Sequence, residues 1–312
     1  MFQDPYSKID AETRLPARHG KFSMTKVDMF SKKSIYFLLI SLLVISLILA
    51  GIIWHSQNQK LKIIFFDVGQ GDAVMISQGQ NQILIDGGPS GQKEMEKLGK
   101  YIPFWDRKIE IVIATHPDQD HIGGLIDVMK NYKIGKVIDN STENDSQVYK
   151  KYLEIIGEKN IERLKGREGM NIKIKDADLK IIYPSLTLVN NSKDTNADSI
   201  VAKLTYDQNS FLFMGDFPLE KEGALFSDKF DLSSKVLKVS HHGSKNATSQ
   251  EFLNKVSPTD AIISVGKNNS YGHPAGELLE RLKAKKINIL RTDEKGDVEY
   301  ICKNLFSCQM AN

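Results

Sequence analysis

The sequence predicts an α/β domain that follows one membrane-spanning helix, and three observations support this. A continuous apolar run lies near the N-terminus, short runs rich in β-branched residues recur after it, and segments with helical spacing separate several of these runs. The chain has 312 residues, 41% of them hydrophobic and 26% charged, which is typical of a folded protein. Its net charge of +3 is too small to indicate nucleic-acid binding by itself.

The apolar run extends from Ile35 to Trp54 and contains no charged residue. A helix of about 20 residues crosses the hydrocarbon core of a bilayer, so the run predicts a transmembrane helix. Three lysines precede it: Lys26, Lys32 and Lys33. By the positive-inside rule, the N-terminus is expected in the cytoplasm and the remainder of the chain outside. A cleaved signal peptide is the alternative, although its apolar segment is usually shorter.

The chain is therefore expected to form three parts. They are a disordered cytoplasmic tail over residues 1–33, a transmembrane anchor over 34–55 and a globular domain over 60–312. The predicted location is a cell membrane, crossed once, with the C-terminal domain extracytoplasmic. Cys302 and Cys308 lie in that domain, where a disulfide is chemically allowed and two free thiols are equally compatible.

The globular part begins with three short strands in close succession, predicted over 61–68, 73–77 and 82–86. The glycine-containing turns between them indicate an antiparallel meander. The elements predicted after the meander are a helix over 93–101, strands over 109–114 and 136–139, a helix over 146–159, strands over 170–174, 179–183, 199–206 and 210–216, a helix over 219–226, strands over 234–240 and 260–265, a helix over 277–285, and strands over 287–291 and 298–301.

The loop THPDQDHIGG, from Thr115 to Gly124, is the strongest functional signal in the sequence. Within six residues it presents four side chains that can bind a metal ion: His116, Asp118, Asp120 and His121. A mixed set of imidazoles and carboxylates is typical of a catalytic metal site, whereas closed structural sites are usually rich in cysteine. The alternative is that the aspartates cap the following helix, but a cap needs only one such residue.

Other apolar strands also end on polar residues that can bind metal. Asp86, Asp216 and the pair His241-His242 each follow a predicted strand. One such residue is usually a turn residue. Several at equivalent strand ends indicate that one edge of a sheet collects a site.

The motifs FFDVGQGDA, LIDGG, THPDQDHIGGL, NADSIV, FLFMGD, LKVSHHGS, YGHP and RTDEKG occur in this order. Together they resemble the metallo-β-lactamase-fold domain of the bacterial competence protein ComEC, over residues 61 to 301. The resemblance implies an αββα sandwich, in which two mixed β-sheets pack face to face with helices outside. It also implies a metal site at one edge of the sheets and an activity directed at DNA, because the ComEC domain is thought to degrade one DNA strand during uptake.

The resemblance further implies two divalent metal ions, either Mn²⁺ or Zn²⁺, with Mg²⁺ also compatible. His116 and Asp118 would bind the first, Asp120 and His121 the second, with Asp216 bridging them and His241 completing the second site. Asp118 stands where most of the superfamily has a histidine. No histidine lies between His121 and Asp216, and Asn196 and Ser199 occupy that region instead. The first site is therefore expected to be weak.

Two residues are assigned catalytic roles from these motifs: Asp120 would orient the attacking water, and His273 would assist the leaving oxygen. Asp86 would hold a ligand imidazole in its tautomer. The other residues expected to contact substrate or to support the ligands are Asn196, Ser199, His242, Ser244 and Tyr271.

The sequence thus predicts a membrane-anchored, extracytoplasmic, metal-dependent phosphodiester hydrolase that acts on DNA or another nucleic acid. One alternative is a cell-envelope phosphodiesterase acting on choline-decorated teichoic acid. Another is a binding domain without catalysis, in which the metal site is vestigial. β-Lactam hydrolysis is less favoured, because the HHGS and YGHP motifs belong to a different branch of the superfamily from the enzymes that hydrolyse β-lactams. The sequence does not indicate an oligomeric state.

Overall fold

The computed structural model describes residues 32–58, 60–185, 194–227, 229–304 and 307–311. The chain divides into two compact units, Met1–Ile53 and Trp54–Asn312. Nearly all of the predicted cytoplasmic tail lies outside the described residues. The three-part organisation expected from the sequence therefore stays a prediction.

The helices are α1 (Lys32–Asn58), α2 (Gly91–Tyr101), α3 (Gln119–Ile122), α4 (Leu125–Asn131), α5 (Gln147–Glu158), α6 (Gln250–Val256), α7 (Gly276–Ala284) and α8 (Thr292–Lys295), with 3₁₀ turns at Asn196–Asp198, Leu219–Leu225 and Ser240–Gly243. The strands are β1 (Leu61–Phe65), β2 (Val74–Gln78), β3 (Asn81–Ile85), β4 (Lys108–Ala114), β5 (Lys133–Asp139), β6 (Glu162–Lys165), β7 (Asn171–Ile174), β8 (Ala177–Tyr183), β9 (Val201–Tyr206), β10 (Asn209–Phe213), β11 (Val236–Lys238), β12 (Asp260–Ile263), β13 (Asn288–Arg291), β14 (Val298–Asn304) and β15 (Ser307–Ala311).

Helix α1 contains the apolar run that the sequence predicts to span a membrane. Its segment Lys32–Trp54 has 23 residues and is long and apolar enough to cross a bilayer. Its large apolar side chains are exposed, as a span surrounded by lipid requires. A signal sequence near the N-terminus has the same properties, so α1 is a candidate anchor on length and composition.

The globular unit is built on two mixed sheets. The first has the order β15-β14-β1-β2-β3-β4-β5-β6, and the second has the order β13-β12-β11-β10-β9-β8-β7. In the first sheet β1, β2 and β3 pair antiparallel, which confirms the predicted meander, and β3 through β6 pair parallel. In the second sheet β10 through β13 are parallel. Parallel neighbours bring their carboxyl ends to a common edge.

The two sheets pack face to face, and helices cover their outer faces. Strand β1 shows why: Ile63 and Phe65 belong to the apolar cluster between the sheets, whereas Ile64 belongs to the cluster beneath α2 and α4. Successive side chains of a strand point to opposite faces, so an apolar run supplies both layers. A third cluster lies beneath α6 and α7 on the second sheet. The predicted αββα sandwich is confirmed.

Several boundaries differ from the prediction. The segment predicted as a helix over 219–226 forms a 3₁₀ turn, and the strand predicted over 210–216 ends at Phe213, which leaves Asp216 in a loop. Strand β6 was not predicted because its sequence, Glu-Arg-Leu-Lys, is almost wholly charged, as suits an edge strand. Strands β14 and β15 pair antiparallel, which agrees with the hairpin that the segment KNLFS between the two cysteines indicates. Cys302 and Cys308 are opposite residues of β14 and β15, and they form a disulfide.

Candidate metal centre

The polar strand ends converge at one edge of the sandwich. Asp86 follows β3, the loop from Thr115 to His121 follows β4, Asp216 follows β10, and the His241-His242 pair follows β11. Asp86, His241 and His242 have φ values of 58°, 50° and 50°, a left-handed conformation that is unusual for residues with a side chain. Such strain is concentrated at functional sites, where the surrounding structure maintains it.

Three buried side chains form the centre of the site. His121 Nε2 lies 3.3 Å from Asp216 Oδ1, and His116 Nε2 lies 4.0 Å from Asp216 Oδ2. The centroids of the two imidazole rings are 4.0 Å apart. The sequence predicted that these residues meet although about 100 positions separate them, and the structure brings them together.

The atoms in this centre fit a divalent metal ion. His116 Nε2 is buried and has no hydrogen-bond partner among the described residues, while the buried atoms His121 Nε2 and Asp216 Oδ1 face each other at 3.3 Å without hydrogen-bond geometry. A buried polar atom without a partner costs about 1–3 kcal/mol, so three that converge call for a ligand. Imidazole nitrogen and carboxylate oxygen are the donors that zinc, manganese and iron take in proteins.

A second group adjoins the first and shares His121 with it. His242 Nε2 lies 3.2 Å from Asp120 Oδ2 and 3.5 Å from Asp216 Oδ2. The ligand atoms of Asp120, His121 and His242 all lie within 4.8 Å of one another, as do those of His116, His121 and Asp216. Asp216 thus faces imidazoles of both groups, which is the position of a bridging carboxylate.

The geometry favours His242 over His241 as a ligand, whereas the sequence prediction gave this position to His241. His241 Nε2 lies 3.8 Å from Asp216 Oδ2, and its side chain is 35% exposed, while that of His242 is buried. The sequence could not separate the two because both residues adopt the left-handed conformation. The alternation of side chains along an extended strand does not apply there.

Asp118 contacts the site at its margin. Its Oδ2 is 3.8 Å from His116 Nε2, and its Oδ1 accepts a hydrogen bond of 2.7 Å from the Thr195 hydroxyl. Asp118 precedes α3 at the N-cap position, but its side chain makes no capping hydrogen bond. The contacts of Asp118 therefore differ from those of a residue that only caps a helix.

Asn196 and Ser199 lie beside the β4 loop, in the region where the sequence lacks a histidine. The backbone N–H of Ile200 donates a hydrogen bond of 3.0 Å to the carbonyl of Thr115. Asn196 Oδ1 and Ser199 Oγ are buried without a hydrogen-bond partner in the described part of the chain. Both oxygen atoms are therefore available to a ligand, although their role stays a prediction.

Asp86 supports the ligand His121, as the sequence predicted from the general chemistry of such sites. Its Oδ2 lies 2.8 Å from His121 Nδ1 and accepts a hydrogen bond of 2.7 Å from the Thr115 hydroxyl, while its Oδ1 accepts the Thr115 backbone N–H at 2.7 Å. A carboxylate on one ring nitrogen fixes the tautomer that presents the other nitrogen to the metal. His121 Nε2 is thereby directed toward Asp216.

Replacing Asp86 with asparagine is expected to weaken metal binding about 10- to 100-fold, because the amide keeps the shape but not the charge that holds His121. Chelator competition with Mn²⁺ or Zn²⁺ measures this affinity. Asp127→Asn on α4, whose carboxylate pairs with Lys130 on the surface, is the matched control and should bind metal as the wild type does. An affinity within twofold of the wild type in the Asp86 variant would contradict the role.

His242 has its own supporting chain, which the sequence reasoning missed. His242 Nδ1 forms a hydrogen bond of 3.0 Å with the Ser264 carbonyl and also lies 3.2 Å from Asp72 Oδ1, and Asp72 Oδ2 lies 2.7 Å from the ammonium group of Lys238. Lys238 is only 1% exposed. A lysine flanked by apolar residues, in Val-Leu-Lys-Val, was the available signal, since lysine is almost never fully buried without a partner.

The buried carboxylates and imidazoles of the site keep one another charged. Burial would raise the pKa of Asp72, but Lys238 and His242 outweigh burial and hold that pKa well below its usual range. Burial would likewise raise the pKa of Asp216, but His242 and His121 lower it well below the usual value. Burial alone would lower the pKa of His242, but Asp216 and Asp72 raise it to about 10. Clustered carboxylates thus stay ionised in a buried site.

The remaining predicted residues lie at the rim of the site. The centroid of the His273 ring is 6.0 Å from that of His241, and the Tyr271 ring stacks on His273 with 5.8 Å between centroids. The Ser244 hydroxyl accepts a hydrogen bond of 3.2 Å from the backbone N–H of Asn246, which places it in the turn after His242. Contact of these residues with a substrate stays a prediction.

An αββα sandwich with histidines and carboxylates gathered at one edge defines a metal-dependent hydrolase class. The sequence matches the metallo-beta-lactamase superfamily over residues 66–267, and the chain belongs to this superfamily. It carries a metallo-β-lactamase-fold domain of the ComEC type, as the resemblance in its motifs predicted.

Two curated relatives show the extent of the match. The chain is 31% identical over 269 residues to ComE operon protein 3 of Bacillus subtilis, a match that covers 81% of this chain and 34% of that protein. It is 26% identical over 260 residues to competence protein ComA of Neisseria gonorrhoeae, which covers 81% of this chain and 35% of that protein. The chain therefore spans about a third of the length of these relatives.

A solved structure agrees with the fold. Igni18, a metallo hydrolase from Ignicoccus hospitalis, aligns with a TM-score of 0.52 at 15% identity, over 76% of this chain and 98% of that one. At this level of identity the likeness concerns the fold alone.

Proposed function

We propose that the chain is a membrane-anchored, extracytoplasmic phosphodiester hydrolase that uses divalent metal ions and acts on nucleic acid. The main evidence for the proposal is the convergence of three buried atoms that make no hydrogen bond of good geometry: His116 Nε2, His121 Nε2 and Asp216 Oδ1. These residues belong to two adjoining groups of candidate ligands. Two adjoining groups whose imidazoles both face Asp216 suit phosphoryl chemistry, in which both the attacking and the leaving oxygen need stabilisation.

The residues that would hold the ions are His116, Asp118, Asp120, His121, Asp216 and His242. When bound, divalent ions lower the pKa of water and polarise the phosphoryl oxygens. Asp118, whose Oδ2 lies 3.8 Å from His116 Nε2, would supply an oxygen donor in place of a histidine, which favours manganese or magnesium over zinc.

Asp120 is suited to orient the attacking water. Its side chain is 34% exposed, so solvent reaches it, and one of its oxygens lies 3.2 Å from His242 Nε2. Burial would raise the pKa of Asp120, but the hydrogen bond from His242 and the charge of His121 lower it. The carboxylate therefore accepts a hydrogen bond from water at neutral pH.

His273 is suited to contact the leaving oxygen. Burial and the neighbouring His241 and His242 lower the pKa of His273 below its usual value, so its ring is neutral near pH 7. His273 Nδ1 is buried without a hydrogen-bond partner in the described ranges. A neutral imidazole N–H donates a hydrogen bond to the departing oxygen without carrying a full charge.

Two observations support the extracytoplasmic location. The apolar run within α1 is preceded by lysines, and the globular unit contains the disulfide between Cys302 and Cys308. Disulfides persist in oxidising compartments and are rare in the cytosol. Digestion of the globular unit by protease added to intact cells tests the orientation.

Nucleic acid is the proposed substrate because the motifs resemble the ComEC domain, which is thought to degrade one DNA strand, and because one relative is named as a competence protein. The full chain in detergent, supplied with Mn²⁺, is expected to cleave single-stranded DNA, and EDTA should abolish turnover. RNA, bis(p-nitrophenyl) phosphate and a phosphocholine ester tested in parallel separate a nuclease from an envelope phosphodiesterase. An absence of turnover on all four substrates with Mn²⁺, Zn²⁺ and Mg²⁺ would sink the proposal.

A further inference from the structure

Tyr271 is an exposed aromatic residue at the mouth of the metal centre. It is 68% exposed, and its ring lies nearly parallel to that of His273, at an interplanar angle of 21°. His273 in turn neighbours His241, whose Nε2 is 3.8 Å from Asp216 Oδ2. A row of rings therefore leads from solvent to the metal centre, with one face of the outermost ring on His273.

The loop that carries Tyr271 is fixed by Asn269. The Asn269 amide group donates hydrogen bonds to the carbonyls of Gly266, at 3.0 Å, and of His273, at 2.6 Å. Its Oδ1 accepts the backbone N–H groups of Tyr271 and His273, at 3.1 and 3.0 Å. These four hydrogen bonds fix the backbone that carries the Tyr271 ring, although the ring itself buries little area. Packing therefore does not account for an aromatic residue at this position.

A polar cavity of about 570 Å³ lies on the same loop, and this volume is within the range of small-molecule sites. Lys267, Asn268, Asn269 and His273 line one part of it. Arg291 lines another, but its guanidinium is neutralised by contacts of 2.7 Å with Asp293 and 2.9 Å with Glu294. With so little net positive charge, the cavity suits a neutral polar ring better than a phosphate group.

We propose that Tyr271 is a stacking platform for a nucleobase beside the phosphodiester to be cleaved, and that the open pocket next to His273, which Tyr271 does not line, receives the adjacent nucleoside. The inference rests on the proposed function and narrows its substrate to nucleic acid with an unpaired nucleotide. Within a duplex both faces of a base are covered by its neighbours, whereas a single strand exposes a face for an aromatic side chain. Stacking tolerates every base, so the platform confers strand selectivity without sequence selectivity.

The test compares Tyr271→Ala and Tyr271→Phe with the full-length wild type. For a single-stranded oligonucleotide, Tyr271→Ala should raise both KM and the Kd from fluorescence anisotropy in Ca²⁺ by about 5- to 100-fold, the effect of one lost base stack. Tyr271→Phe keeps the ring and should stay within about threefold. On an oligonucleotide that is abasic around the cleavage site, Tyr271→Ala should bind as the wild type does, because no base remains to stack.

Trp105→Ala is the matched control. Trp105 is also an exposed aromatic residue, but it precedes β4, whereas the metal loop follows the other end of that strand. Equal KM and Kd in the wild type and Tyr271→Ala, while the wild type cleaves single strands, would overturn the platform and leave the proposed function standing. A loss of affinity that is as large on the abasic strand would overturn it too. Failure of the wild type to cleave any phosphodiester would instead remove the proposed function and the platform with it.

Discussion

Asp216→Asn is expected to lose metal binding and to lower phosphodiester turnover about 100- to 1,000-fold or more. The Asp216 carboxylate contacts imidazoles with both oxygens, His121 at 3.3 Å and His242 at 3.5 Å. The substitution keeps the shape but removes the charge and places an N–H donor where a cation must bind. The expected fall in turnover corresponds to losing several kcal/mol of the transition-state stabilisation that bound metal ions would supply, since about 1.4 kcal/mol is tenfold in rate.

The measurements are the metal content per chain, by elemental analysis, and the turnover number under saturating Mn²⁺. Asp207→Asn is the matched control, because Asp207 lies in the turn between β9 and β10, where its positive φ suits asparagine equally well. The control should retain metal and activity. If Asp216→Asn bound as many ions as the wild type and turned over at the same rate, the prediction that Asp216 binds metal between the two ligand groups would be wrong. Retained metal affinity with no turnover in the wild type would support a binding domain.

Lys238→Met is expected to lower the free energy of unfolding by about 3–5 kcal/mol, although Lys238 itself contacts no substrate. Methionine fills a similar volume, but it leaves Asp72 buried without its nearest positive charge. Removing one member of a buried ion pair costs up to about this much, and the contact of Asp72 with His242 at 3.2 Å offsets part of it. Urea unfolding of the full chain at pH 7 measures the difference.

The sign of the pH dependence follows from Asp72. Its pKa in the folded protein lies below that in the unfolded chain, which is about 4, so the ion pair stabilises the fold fully above that pH. This stabilisation is lost as the pH falls further. The difference between wild type and Lys238→Met should therefore be largest near neutrality and should shrink in acid.

Two further variants separate this effect from ordinary loss of packing. The double variant Lys238→Met with Asp72→Asn removes both charges and should recover part of the lost stability. Lys136→Met removes a surface pair with Glu162 and should cost at most about 1 kcal/mol. A Lys238 variant no less stable than the Lys136 variant would show that the buried pair does not support the fold.

The sequence predicted the fold and most of the site because the signals are local. The loop after β4 contains four of the candidate ligands of the site in one stretch, and each apolar strand could be recognised from its own sequence. The features that the sequence did not reveal depend on contacts between distant parts of the fold. Asp72 and Lys238 lie 166 positions apart, and only the packing of the two sheets shows that they form a pair. The choice between His241 and His242 depends on backbone angles that no periodicity encodes.

The ligands come from both sheets, and neither sheet holds a complete set. His116 and His121 follow a strand of the first sheet, whereas Asp216 and His242 follow strands of the second. An ion bound by residues from both sheets would link the two sheets of the sandwich. Any ligand that binds only the folded state adds stability in proportion to the logarithm of its concentration, about 4 kcal/mol at 1,000 times its Kd. In the proposed extracytoplasmic location, the supply of trace metal would then affect how long the protein resists proteolysis as well as how fast it works.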